Sequence, residues 1–122
     1  MIITDDTQKV AEMADGIAVA LKGKKVTVKK ISEFNGNDIL PADAFFLGCE
    51  KPNPPSFSYV EDLFRHINLA GRPCGIFSPG TKETAKYLSG IVRDCEAALG
   101  EGPFLPDSGK NIKTWAQSII AE

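Results

Sequence analysis

The apolar positions of this chain switch repeatedly between a period near two and a period near 3.6, and each switch marks a predicted element. Residues 1–4 open the chain as a very short strand. Val10, Ala14, Ile17 and Leu21 follow at spacings of four, three and four, which lines them along one helix face. Asp5 is placed to cap that helix with Gln8 as its capping-box partner, and Gly23 to end it. Residues 25–29 alternate with period two, and their outward lysines suit an edge strand that must resist mispairing. Residues 44–48 form an unbroken apolar run, the pattern of a central parallel strand covered on both faces.

The second half repeats the alternation. After a loop holding Pro52, Pro54 and Pro55, Ser58 and Glu61 form a capping-box pattern ahead of Val60, Leu63, Phe64 and Ile67, spaced as one helical stripe. Residues 73–77 read as another central strand, with Ser78, Pro79, Gly80 and Thr81 as the turn after it. Ala85, Leu88, Val92, Cys95 and Leu99 predict a helix that stops near Gly100. Phe104 and Leu105, confined between Pro103 and Pro106, predict a short edge strand. Ser108 then caps a last helix with Ile112, Trp115, Ala116 and Ile119 turned inward. Residues 31–41 carry the crossover from edge to centre, as a short helix or a loop. Five strands and four clear helices in this order, joined by right-handed crossovers, predict one α/β domain over residues 1–122. Its architecture is a three-layer, doubly wound, five-stranded parallel sheet with strand order 2-1-3-4-5, the flavodoxin-like arrangement.

Composition narrows the function classes. With 14 Lys and Arg against 16 Asp and Glu the net charge is −2, so no basic stripe for nucleic acid is expected. An apolar share of 43% places the chain among globular domains and not disordered ones. No apolar run approaches the roughly 20 residues that span a bilayer, and the start of the chain lacks a basic and then apolar leader. Cysteines at 49, 74 and 95 are odd in number and form no Cys-x-x-Cys, which argues against a disulfide framework and for a reducing, cytoplasmic setting. All three are read as small core residues. The single histidine, His66, is tied to no nucleophile or carboxylate by motif, so it is expected at the surface near a helix end.

Three stretches carry a resemblance to the flavodoxin-like family over nearly the whole chain. Residues 38–48 place an acidic residue before an apolar strand ending in glycine. Residues 69–80 place a leucine, a glycine and a basic residue before an apolar strand ending in Phe and small residues. Residues 4–11 resemble the family's Thr-Gly-Asn-Thr loop leading into the first helix. The resemblance implies an electron carrier or binding protein more than a catalyst, with FMN as cofactor and a redox protein as partner. It implies that the loop after the first strand wraps the FMN phosphate and that the loops after strands three and four hold the flavin ring. The cofactor-binding residues implied are Thr4, Asp5, Asp6 and Thr7; Cys49, Glu50, Lys51 and Asn53; and Ser78, Pro79, Gly80 and Thr81.

This chain departs from the family's pattern at the phosphate loop. Asp5 and Asp6 stand where the family has glycine and a small polar residue. A carboxylate about 4 Å from a phosphate charge costs on the order of 4 kcal/mol at an effective dielectric near 20. The loop is also short, and residues 49–56 and 78–81 hold no aromatic to stack on a ring. The expectation is therefore a protein of the FMN electron-transfer class with FMN binding weak or lost. The alternative is a non-redox binding module on the same scaffold. Less favoured is a receiver-like phosphoacceptor module: Asp5 and Asp6 resemble its acidic pair and Ser78 its hydroxyl, but the third strand ends Gly48-Cys49-Glu50 and no lysine follows the fifth until Lys110. The plainer reading of Asp5 and Asp6 is helix capping and a favourable dipole interaction.

Overall fold

The computed structural model describes residues 1–100, 102–106 and 111–120. Its strands and helices follow in chain order as β1 (Ile2–Thr4), α1 (Gln8–Ala20), β2 (Val28–Lys30), α2 (Gly36–Ile39), β3 (Phe45–Gly48), α3 (Ser58–His66), β4 (Pro73–Phe77), α4 (Lys82–Asp94), β5 (Ala98–Leu99) and α5 (Ile112–Ile120), with one 3-10 turn at Pro55–Phe57 before α3. The five strands pair in parallel in the order β2-β1-β3-β4-β5.

Side chains alternate across the sheet and build two cores. Ile3, Phe45, Leu47, Cys74 and Ile76 point to the face covered by α2, α3 and α4, where Phe64 meets Phe45 edge-on at 5.7 Å. Ile2, Phe46 and Phe77 point to the face covered by α1 and α5, where Trp115 meets Phe46 at 5.6 Å and Phe104 at 5.5 Å. Two glycines on that second face make room for rings. A Cβ on Gly75 would lie 2.9 Å from the Phe46 ring and 3.0 Å from Trp115, and one on Gly48 would overlap the Phe77 ring.

The crossover between β2 and β3 does contain a helix. Asn35 caps α2 through Asn37 N–H, and Asp38 answers with a hydrogen bond from Asn35 N–H, a complete capping box. Arg72 fixes its other end, donating from Nη1 to the carbonyl oxygens of Ile39, Leu40 and Ala42 at 2.9–3.1 Å. A guanidinium here satisfies carbonyls that a helix end leaves without partners.

Several elements differ from the sequence expectation, each for a local reason. The edge strand β2 lies later than residues 25–29, because pairing with β1 starts at Thr27 O and runs to Lys30. Helix α1 ends at Ala20, ahead of Gly23, whose φ of 98° instead shapes the following turn. Ser58 makes no cap, since the 3-10 turn already leads the chain into α3. Helix α4 ends at Asp94; Cys95 is its buried C-cap, and Glu96 turns with φ 64°. Leu99, expected on that helix, is 41% exposed in β5. The edge beside β4 is therefore two short pieces: β5 pairs with Pro73 and Cys74, and Phe104 bridges to Phe77. Ser108, the expected cap of α5, and Lys110 lie outside the described residues; Asn111 caps that helix through the N–H groups of Lys113 and Thr114. Among the described residues no helix is long and apolar enough to cross a membrane.

Replacing Gly48 by Ala forces the Phe77 ring out of its place. Urea unfolding of Gly48→Ala is expected to show a loss of about 1–3 kcal/mol, the usual cost of overpacking a close-packed core.

Candidate functional site

In a doubly wound sheet the strand order reverses between two adjacent strands whose connections run to opposite sides, and ligands bind at the carboxyl ends there. Here that point lies between β1 and β3. The three loops at this edge are residues 5–7, 49–54 and 78–81, and their mutual contacts form a continuous rim.

The rim is organised around Asp5, which is only 5% exposed. Its backbone N–H continues the sheet by donating to Gly48 O at 3.2 Å. Its Oδ1 accepts from Thr7 N–H at 3.0 Å and from Thr7 Oγ1, at 2.6 Å. Its Oδ2 accepts from Glu50 N–H at 2.8 Å. The carboxylate thus spans from the start of α1 to the first turn after β3. It is not the N-cap residue expected from the sequence. Thr7 holds that position, and Gln8 donates to Glu12 Oε1, making no capping box. Asp5 still acts on the helix start, because two of its three donors belong to the N-cap residue. Asp6 is exposed, with Ser32 Oγ donating to its Oδ1 at 3.5 Å. Thr4 is buried at the end of β1.

The second and third loops lock together behind it. Thr84 Oγ1, buried in the first turn of α4, donates to Glu50 O at 3.3 Å. A Cβ on Gly80 would overlap the same carbonyl oxygen, so only glycine allows this approach. Ser78 is fully buried; its Oγ accepts from Gly80 N–H at 2.9 Å and its N–H donates to Phe104 O at 3.0 Å. Pro79 is half-buried, and Lys51, Asn53 and Thr81 are exposed on the rim. Asn53 sits at φ 54°, the left-handed conformation that Asn tolerates better than most residues.

Cys49 belongs to the core and not to the rim's reactive surface. It is fully buried, its Sγ donates to Lys51 O at 3.3 Å, and burial followed by the Asp5 charge pushes its thiol up to about 12. Burial also raises Cys74 and Cys95, which lie in the same core. Two tyrosines outside the sequence-based set tie together the helices that follow β2, β3 and β4. Tyr87 donates to Glu61 Oε2 at 2.7 Å across α3 and α4, and burial first, then that hydrogen bond, drives its phenol upward. Tyr59 Oη accepts from Gly36 N–H at 2.8 Å. Thr84 was legible in principle, as a polar residue four before Leu88 on the inward stripe.

A cavity of about 690 Å³ lies at the opposite edge, among Leu21, Lys24, Asp43, Ala44 and Phe46. It touches none of the three rim loops. Strand order, and not cavity size, is the better guide in this architecture. Among the described residues no cluster of His, Cys, Asp and Glu is arranged to hold a metal ion.

A protonated, buried thiol is a poor nucleophile. Native protein at pH 8 is expected to react with a thiol-labelling disulfide at least about tenfold more slowly than the urea-unfolded chain, measured by release of the coloured thiolate.

No protein-family model and no curated protein matches the chain. Solved structures do. A flavodoxin from Streptococcus pneumonia TIGR4 superposes with a TM-score of 0.81 at 16% identity, over 98% of this chain and 96% of that one. Oxidised flavodoxin 2 from Bacillus cereus gives 0.80 at 17% identity, over 98% and 97%. A Fusobacterium nucleatum flavodoxin mutant bound to flavin mononucleotide gives 0.71 at 12% identity, over 99% and 92%. With matching strand order and coverage of nearly the whole of each chain, this protein is flavodoxin-like in fold.

Proposed function

We propose that this chain is a protein of the flavodoxin electron-transfer class whose hold on FMN is weak or lost. The scaffold supports the first half of that reading, since its structural neighbours are flavodoxins, one of them with flavin mononucleotide bound. The observation that carries the second half is the closure of the two loops expected to flank a flavin ring. Thr84 Oγ1 and Gly80 both reach Glu50 O, so the turn after β3 rests directly on the turn after β4. No aromatic side chain stands in residues 49–54 or 78–81 to stack on a ring. When bound, FMN itself carries the electron chemistry, and the protein's share is to place and tune it. Here the side chains exposed on the rim for that share are Lys51, Asn53 and Thr81, whereas the N–H of Gly80 is already given to Ser78 Oγ.

A second reading, a non-redox binding module, is favoured by the same closure. A rim whose loops rest on one another offers a ready-formed surface to a protein partner and narrows the room for a cofactor. Under the first reading that partner is a redox protein; under the second it is any protein that fits the rim.

The test is the visible spectrum of freshly purified protein, followed by titration into FMN while flavin fluorescence is read. The expected result is a colourless protein with no saturable quenching at micromolar concentration. A yellow protein, or a saturable quench in that range, would overturn the claim of weakened binding.

A further inference from the structure

We infer that the Asp5 carboxylate is a built-in replacement for the anion that this rim would otherwise hold, and that Asp5 closes the site to phosphate-bearing ligands. The inference rests on the flavin-class reading above and concerns its phosphate subsite. The donors are those of an anion site. Thr7 N–H, Thr7 Oγ1 and Glu50 N–H converge on one point from two separate loops, beside the positive end of α1. What they hold is a carboxylate from the chain itself, nine-tenths or more buried and fully engaged through both oxygens. A phosphate group does not fit this arrangement. It would have to displace a tethered anion from its three donors and then sit beside the displaced charge, with the carboxylate of Asp6 next in the chain.

The loop cannot widen to accept both. Thr4 ends β1 and Gln8 begins α1, so residues 5–7 are the whole connection, and Asp5 N–H is already committed to Gly48 O. A tethered carboxylate competes as an intramolecular ligand, without the cost of bringing a free anion to the site. The fold thereby keeps the helix terminus and the β3 turn satisfied without a ligand.

Asp5→Gly removes the carboxylate and leaves the three donors. Thermal unfolding of wild type and Asp5→Gly is compared in inorganic phosphate and in chloride at matched ionic strength. The variant is expected to melt lower than wild type in chloride and to recover saturably in phosphate beyond the small, general rise that wild type shows. An equal phosphate response in both proteins would overturn the inference. If Asp5→Gly does not fold, Asp5→Ser keeps a side-chain oxygen too short to fill the place and is read in the same way. A second arm titrates FMN and riboflavin, which differ only by the phosphate. Wild type is expected to bind FMN no more tightly than riboflavin, and Asp5→Gly to favour FMN by about tenfold or more. Wild-type preference for FMN of that size would also overturn the inference. Failure of both flavins to bind Asp5→Gly counts against the flavin-class reading alone, and the phosphate response then decides the role of Asp5.

Discussion

The burial of β3 on both faces is the constraint from which the rest of the molecule follows. Every residue of Phe45–Gly48 is out of water. A strand in that position needs both backbone edges paired and both rows of side chains covered. β1 and β4 supply the edges, α2, α3 and α4 cover Phe45 and Leu47, and α1 and α5 cover Phe46. The demand for space is met by absence: Gly75 yields to Phe46 and Trp115, and Gly48 yields to Phe77. Because Gly48 ends the strand there, Glu50 emerges within reach of Asp5, and the rim inherits its geometry from a packing requirement in the core.

At the rim the same economy is electrostatic. Backbone donors at a helix start and after a strand need acceptors, and a protein can take them from solvent, from a ligand or from itself. This chain takes them from itself. The two oxygens of one side chain join the start of α1 to the turn after β3, and the carbonyl of Glu50 joins that turn to the first turn of α4 through Thr84. The result is a set of loops whose polar groups answer one another.

Much of the architecture was legible in the sequence because the relevant forces are periodic. The unbroken apolar run of β3 and the stripes of α1, α3 and α5 each record which side of an element faces a core. Strand order followed from right-handed crossovers and from the edge-like lysines of β2. What escaped was decided by contacts far apart in the chain. Cys95 and Leu99 continue the spacing of α4, yet the chain leaves the helix at Asp94 so that Ala98 and Leu99 can pair with β4. Ser58 looks like a cap until Pro55 starts a tighter turn first. At the site, the placement of Asp5, Glu50 and Ser78 at one edge was readable from topology. The direction of the Asp5 carboxylate was not, because it depends on the Glu50 N–H, 45 residues away. Arg72 gives no local sign that its partners are the carbonyls that close α2.

The loop after β3 is set with unusual firmness. Asn53 takes a left-handed turn with Pro52 on one side and Pro54 and Pro55 on the other. Proline fixes φ in the unfolded chain as well as in the folded one, so this segment surrenders little freedom when the protein folds. A loop fixed in this way has met its ordering cost before anything touches it, so its shape belongs to the fold and not to its surroundings.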